Sequence, residues 1–138
     1  MNVNDCFEKR FLIRVAPSIE KSEKSLEQAA YFIKQAESNL PLENYKLVLF
    51  CSYTSMFHSA RAILFRDGVK ERSHVCVIEY LKSECPEITS FANTLDSYRA
   101  NRHNVVYGLD YLVSEIDAQE SINDAMEFLA KIRKMIGS

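Results

Sequence analysis

The chain has 138 residues, of which 47% are hydrophobic and 26% charged. That is enough apolar material for one compact domain and too much for an intrinsically disordered chain, while only 3 Gly and 3 Pro argue against an all-β sandwich or barrel with its many turns. With 17 basic and 19 acidic residues and a net charge of −2, it is no globally basic nucleic-acid binder, so a nucleic-acid site must be a local patch.

Met1 to Ala16 give no clear periodicity. Asp5, Glu8, Lys9, Arg10 and Arg14 stand among the apolar residues there, so no secretory signal is expected. Phe11, Leu12, Ile13 and Val15 form a short apolar run that ends at Pro17, suited to packing across a bundle or against a second subunit. From Ser18 the pattern is helical: Leu26, Ala29, Ala30, Ile33, Ala36 and Leu40 share one face, and Asn39-Leu40-Pro41 ends the segment. A second helix is predicted from near Leu42 to about Arg66. It is apolar around most of its circumference, which makes it the most buried helix of the bundle. Its longest apolar stretch, Leu47 to Phe65, is broken by Ser52, Thr54, Ser55, His58, Ser59 and Arg61, so no membrane span is expected. Asp67-Gly68 stops this helix.

Val69 to Arg72 reads as a short polar loop. Ser73 then caps a third helix containing Val75, Ile78 and Leu81, broken at Cys85-Pro86. A fourth helix covers Ile88 to about Val106, interrupted by Gly108, and Leu109 to Val113 form a connection. Ser114 caps a last helix with Ile122, Ala125, Leu129, Ile132 and Ile136 on one stripe, closed by Gly137. The expected fold is a single all-α domain over residues 1–138, with 1–16 unassigned. It is an up-and-down antiparallel bundle of four main helices plus a shorter fifth.

Cysteines stand at positions 6, 51, 76 and 85 without CxxC spacing, and the three histidines complete no zinc pattern, so neither metal nor cofactor is expected. Cys51 and Cys76 lie among hydrophobes and read as buried thiols. All four are expected free and reduced in a cytoplasmic protein.

The densest polar constellation is Asp96, Arg99, Arg102, His103 and Tyr107. Arg99, His103 and Tyr107 recur at four-residue spacing, which puts them on one helix face, with Arg102 a little to the side. An arginine and a histidine suffice to cleave RNA without metal. Histidine takes the 2′-hydroxyl proton near neutral pH, and arginine stabilises the charge developing on phosphorus. The plainer reading pairs Arg99 with Asp96 and leaves His103 on a solvated rim. His58 and Arg61, on the apolar second helix, need polar partners: a buried hydrogen bond and ion pair to the first or fourth helix, or a ligand in a cleft between helices. Lys70, Arg72 and His74 form a small basic loop at a helix start, read as a solvated turn or a phosphate site. Tyr45, Tyr53, Phe57 and Phe65 have helical spacing and read as core.

The run Tyr53-Thr54-Ser55-Met56-Phe57-His58-Ser59-Ala60-Arg61-Ala62-Ile63-Leu64-Phe65 resembles the central helix of HEPN domains. Ser73-His74 is similar to that family's Lys-Ser-His segment, with Arg72 in place of the lysine. Arg99-Ala-Asn-Arg102-His103-Asn-Val-Val-Tyr107-Gly108 is similar to its arginine-to-Ala-Asp-Tyr-Gly signature. The likeness extends from about Ser25 to Ile136. It implies a helical bundle, often dimeric, commonly encoded beside or fused to a minimal nucleotidyltransferase, and in many cases part of a toxin–antitoxin pair. Active members carry an Arg-x(4–6)-His motif that forms a ribonuclease site across the dimer; others are inactive or bind nucleotides. Here Arg99 to His103 is one residue short of that interval, and at the right interval from Arg102 stands Tyr107. A tyrosine is a poor general base at neutral pH. The departure favours a binding module, with Arg99, Arg102, His103 and Tyr107 lining a nucleotide or RNA cleft and His58 and Arg61 supporting it. The alternatives are a metal-independent ribonuclease using Arg99 or Arg102 with His103, and a plain oligomerisation bundle.

Overall fold

The computed structural model describes residues 1–137. The elements run α1 (Val3–Glu8), β1 (Leu12–Arg14), α2 (Ile19–Asn39), α3 (Tyr45–Asp67), β2 (Val69–Glu71), α4 (His74–Glu84), a single 3₁₀ turn (Pro86–Ile88), α5 (Thr89–Tyr107) and α6 (Glu115–Ile136). The all-α reading holds. α2, α3, α5 and α6 are the main helices and α4 the shorter fifth.

The helix ends follow from local chemistry. Ser18, Ser73 and Ser114 each accept a hydrogen bond from the backbone N–H three residues on, satisfying a donor that the helix itself leaves unpaired. Ser114 and Asp117 complete a reciprocal capping box. Gly68 ends α3 at φ 80°, a conformation that a side chain resists. A Cβ there would also stand 2.9 Å from Pro17 Cδ, so the turn at Asp67-Gly68 is reserved for glycine by close approach as well as by backbone angle.

α3 is the hub, with buried residues on every side, including Val48, Met56, Ala60, Ile63 and Leu64. By length and composition it could cross a membrane, yet 67% of its most apolar window is buried inside the bundle, which makes it a core helix. Its broadest interface is with α2, and small residues let the two backbones approach. Three hydroxyls are satisfied by carbonyls across this contact, each at 2.7 Å: Ser22 donates to Ala62, Ser25 to His58 and Ser55 to Ala29. α6 closes the other side of the core with Ile122, Phe128, Leu129 and Ile132.

Three expectations are corrected. Residues Val69 to Glu71 are not a polar loop but a strand antiparallel to Leu12–Arg14, with Ile13 opposite Lys70. Leu12 and Val69, both essentially inaccessible, turn inward, so the amino-terminal run packs across its own bundle. The second fills the segment that the sequence left unassigned: α1 is six residues long and opened by a capping box between Asn2 and Asp5. The third concerns the thiols: Cys6 and Cys76 form a disulfide that ties α1 to α4, while Cys51 and Cys85 are free and buried. The expectation of four reduced cysteines is therefore wrong for two of them, and cysteine usage no longer argues for a reducing compartment.

Candidate functional site

The first turn of α4 faces the carboxy-terminal half of α5, and between them lies a cleft of about 530 Å³. α5 contributes Arg99, Arg102, His103, Val106 and Tyr107, α3 contributes Phe50, and Ser73, His74 and Val75 form the opposite wall. One helical face carries the five α5 residues because their spacings of three and four return to the same side. Arg99 is half-buried and held by Asp96, Nε to Oδ1 at 2.8 Å. The pairing anticipated as the plainer reading therefore exists, and the guanidinium still borders the cleft. Arg102 is exposed and takes part in no ion pair among the described residues. The rings of His103 and Tyr107, both exposed, lie 5.2 Å apart between centroids.

From the sequence, His74 belongs to a basic turn or phosphate site and to the segment resembling the family's Lys-Ser-His; in the structure it forms the cleft's inner wall. Its ring stacks on Phe57 with centroids 4.0 Å apart, and its Nδ1 shares a hydrogen bond with the Tyr53 hydroxyl. Burial, then the charges of Arg102, Arg99 and Arg61, hold the imidazole below histidine's ordinary pKa. Burial pushes Tyr53 up to about 12, so the hydroxyl stays protonated. The signal in the sequence was Ser73-His74 at a helix start after the glycine turn. What it lacked was any sign that this turn would meet α5.

His58 and Arg61 do not join this cleft, contrary to expectation. They border a separate groove against α2, with Lys21, Lys24, Ser25, Gln28 and Phe65. At 100° per residue, His58 is turned about 80° from Phe50 and about 100° from Phe57, toward α2, while Arg61 stays close to the line of Phe50 and Phe57 but lies further along α3, past the end of the cleft. His58 stacks flat on Phe32, 5.7 Å between centroids. Arg61 pairs with Glu71 of β2, Nε to Oε1 at 2.8 Å, so its partner is neither the first nor the fourth predicted helix.

Chemically the cleft suits an anion. Arginine presents a planar fork of donors matched to phosphate oxygens. The start of α4 adds the partial positive charge and free N–H groups of a helix N-terminus. Val75, Val106 and Phe50 supply apolar wall against which a base or sugar can rest. No group of three or more metal-ligating side chains is assembled among the described residues.

Both His58 and His74 carry depressed pKa values, by burial and by neighbouring arginines. The native state thus binds fewer protons than the unfolded chain below histidine's ordinary 6.5, and stability rises with pH across that window. Full stability is expected above about pH 6.5, falling as the pH drops from there through the native pKa values. Melting temperatures measured from pH 7.5 to 5 check this. In a His58→Asn/His74→Asn double variant the decline should be smaller than in wild type.

The HEPN domain model matches residues 22–135. The bundle, its chain order and the arginine-bearing penultimate helix therefore place this chain in the HEPN family. No curated protein matches the chain.

Proposed function

We propose that the cleft between α4 and α5 binds the phosphate of a nucleotide or an RNA strand, and that the chain acts as a homodimeric module partnering a minimal nucleotidyltransferase in a toxin–antitoxin pair. The observation carrying the binding role is the convergence of Arg99 and Arg102 with the first turn of α4 on one open, partly apolar cleft. Tyr107 extends the lining as a hydrogen-bond donor, not as a base.

Support for the dimer comes from the corner between α5 and α6. Tyr107, Leu109, Leu112 and Ile116, close together in the chain, are 71%, 97%, 88% and 70% exposed, and exposed apolar side chains that group together suit an interface between copies. The corner adjoins the cleft through Val106 and Tyr107, so a second copy seated there would bring two clefts together. Light scattering at micromolar concentration should return twice the chain mass, and a strict monomer would sink this part of the proposal.

A second reading is a metal-independent ribonuclease, favoured by His103 standing beside Arg102 on the same cleft. The test is incubation of purified protein with RNA in the presence of a chelator, beside Arg102→Ala and His103→Ala. Cleavage by wild type alone makes the domain an enzyme. RNA binding without cleavage, weakened by Arg102→Ala, supports the binding module, and under that reading His103→Ala leaves binding of the nucleotidyltransferase partner intact. Neither binding nor cleavage would leave helix α5 as an assembly surface and overturn both readings.

A further inference from the structure

The groove that took His58 and Arg61 away from the cleft has the features of a ligand site in its own right. It holds about 180 Å³ between α2 and α3, bordered by Lys21, Lys24, Gln28, His58, Arg61 and Phe65. Lys21 is exposed and in no ion pair among the described residues. Lys24 pairs with Glu20 at 3.3 Å, but the two side chains are 70% and 80% exposed, so water and salt screen that contact and an arriving anion competes with it easily. Glu71 Oε1 lies 2.8 Å from Nε of Arg61 as an ion pair without hydrogen-bond geometry, and the other guanidinium N–H groups remain as donors. The guanidinium lies 5.0 Å above the Phe65 ring, an arrangement that fixes its plane.

A second, independent observation marks the groove. His58 Nδ1 is buried without a hydrogen-bond partner among the described residues, although buried polar atoms are nearly always satisfied. Burial and the Arg61 charge keep this ring neutral, and Phe32 holds it flat. His58 thus lines the groove with its Nδ1 enclosed and without a hydrogen-bond partner, as is Nε of Arg61 beside it, among the described residues.

The groove and the cleft lie along one helix. α3 sends Phe50 into the cleft and Phe65 into the groove, about 22 Å apart along the axis at 1.5 Å per residue. Between them Phe57 is half-buried against His74, and Arg61 follows one turn later. A stacked strand rises about 3.4 Å per nucleotide along its axis, so a stacked strand lying along α3 covers the span with about six nucleotides and an extended one with fewer.

We propose that the groove of Lys21, Lys24, His58 and Arg61 is a second phosphate subsite for the strand whose end occupies the α4–α5 cleft, which makes the ligand a single-stranded RNA of several nucleotides and not a free nucleotide. This rests on the binding role proposed for the cleft and gives it a length requirement. Cations spaced along an aromatic-bearing surface are the usual means of holding a single strand without reading its sequence.

The test is fluorescence anisotropy with labelled 2′-O-methyl RNA, which lacks the free 2′-hydroxyl and cannot be cleaved by the internal route. A dinucleotide and a ten-nucleotide strand are titrated onto the full chain, onto Lys21→Glu/Lys24→Glu and onto Arg99→Ala/Arg102→Ala. Both lysines are exposed near the start of α2, where acidic residues suit the helix dipole, so the reversal leaves the fold intact. The ten-nucleotide strand should bind at least tenfold more tightly than the dinucleotide. The lysine reversal should remove that gain while leaving the dinucleotide unchanged, and the arginine variant should weaken both. Equal affinity for the two lengths, or a lysine variant that weakens both lengths alike or neither, overturns the second subsite while the cleft stands. Binding of neither probe overturns the cleft and the subsite together.

Discussion

Replacing Arg102 with alanine is expected to weaken RNA binding by about 10-fold or more, and removing Arg99 as well by about 100-fold. A charge-assisted hydrogen bond contributes roughly 1.5–3 kcal/mol, and 1.4 kcal/mol is a factor of ten. Arg102 carries the larger share because it is exposed and, among the described residues, in no ion pair, so its charge is open to a ligand. Arg99 is already engaged by Asp96 at 2.8 Å; binding must either share that guanidinium or draw it away. Arg99→Ala alone should therefore have the smaller effect. Asp96→Asn should tighten binding slightly, since it removes a competing carboxylate. Arg102→Lys separates charge from geometry. A lysine keeps the charge but not the planar fork, so a variant that binds like wild type would reduce the cleft to general electrostatics. Titrations repeated at two salt concentrations add a check: losing one phosphate contact lowers the slope of log K against log salt by about 0.7 for a single strand. If Arg102→Ala binds RNA as wild type does, the cleft is not the site.

The helical skeleton was legible because it is written in local chemistry. Ser18, Ser73 and Ser114 are caps whose role depends on the next three residues alone, and Gly68 and Gly137 both adopt the left-handed conformation that ends a helix. The strand pair was not legible. Three residues on each side are too few to show a period of two, and Leu12 and Val69 find their inward orientation only once the chain ends of α3 and α1 are brought together. The same limit hid the disulfide, because a pairing over 70 residues leaves no spacing signature. Of the candidate site, Arg99, Arg102, His103 and Tyr107 could be grouped from helix periodicity. His74 could not be added, nor His58 set apart, for one reason: α3 is buried on every side. It therefore has no polar stripe to say which of its faces meets α2 and which meets α4 and α5. That rotation decides whether a histidine five residues past Tyr53 shares its cleft.

Reduction of the Cys6–Cys76 bridge is expected to cost about 4 kcal/mol of stability. The bridge closes a loop of about 70 residues, and constraint of the unfolded chain scales with the logarithm of that length. For a domain of this size such a loss lowers the melting temperature by roughly 10–20 °C. The folded state should nonetheless survive. α4 keeps its place through Val77, Ile78 and Leu81, all buried, and its start keeps the Ser73 cap. What loosens is the segment ahead of α2, where α1 buries little besides Cys6 and β1 is held by three residue pairs. Hydrogen exchange should accordingly rise over residues 1–16 and not over α2, α3 or α6, in the reduced protein and in Cys6→Ser alike. The double variant Cys6→Ser/Cys76→Ser should match the reduced wild type and gain nothing from oxidant. Thiol titration of the denatured, unreduced protein should return two thiols per chain, those of Cys51 and Cys85, both buried in the native state. Four thiols, or identical melting curves with and without reductant, would show that α1 is held by packing alone.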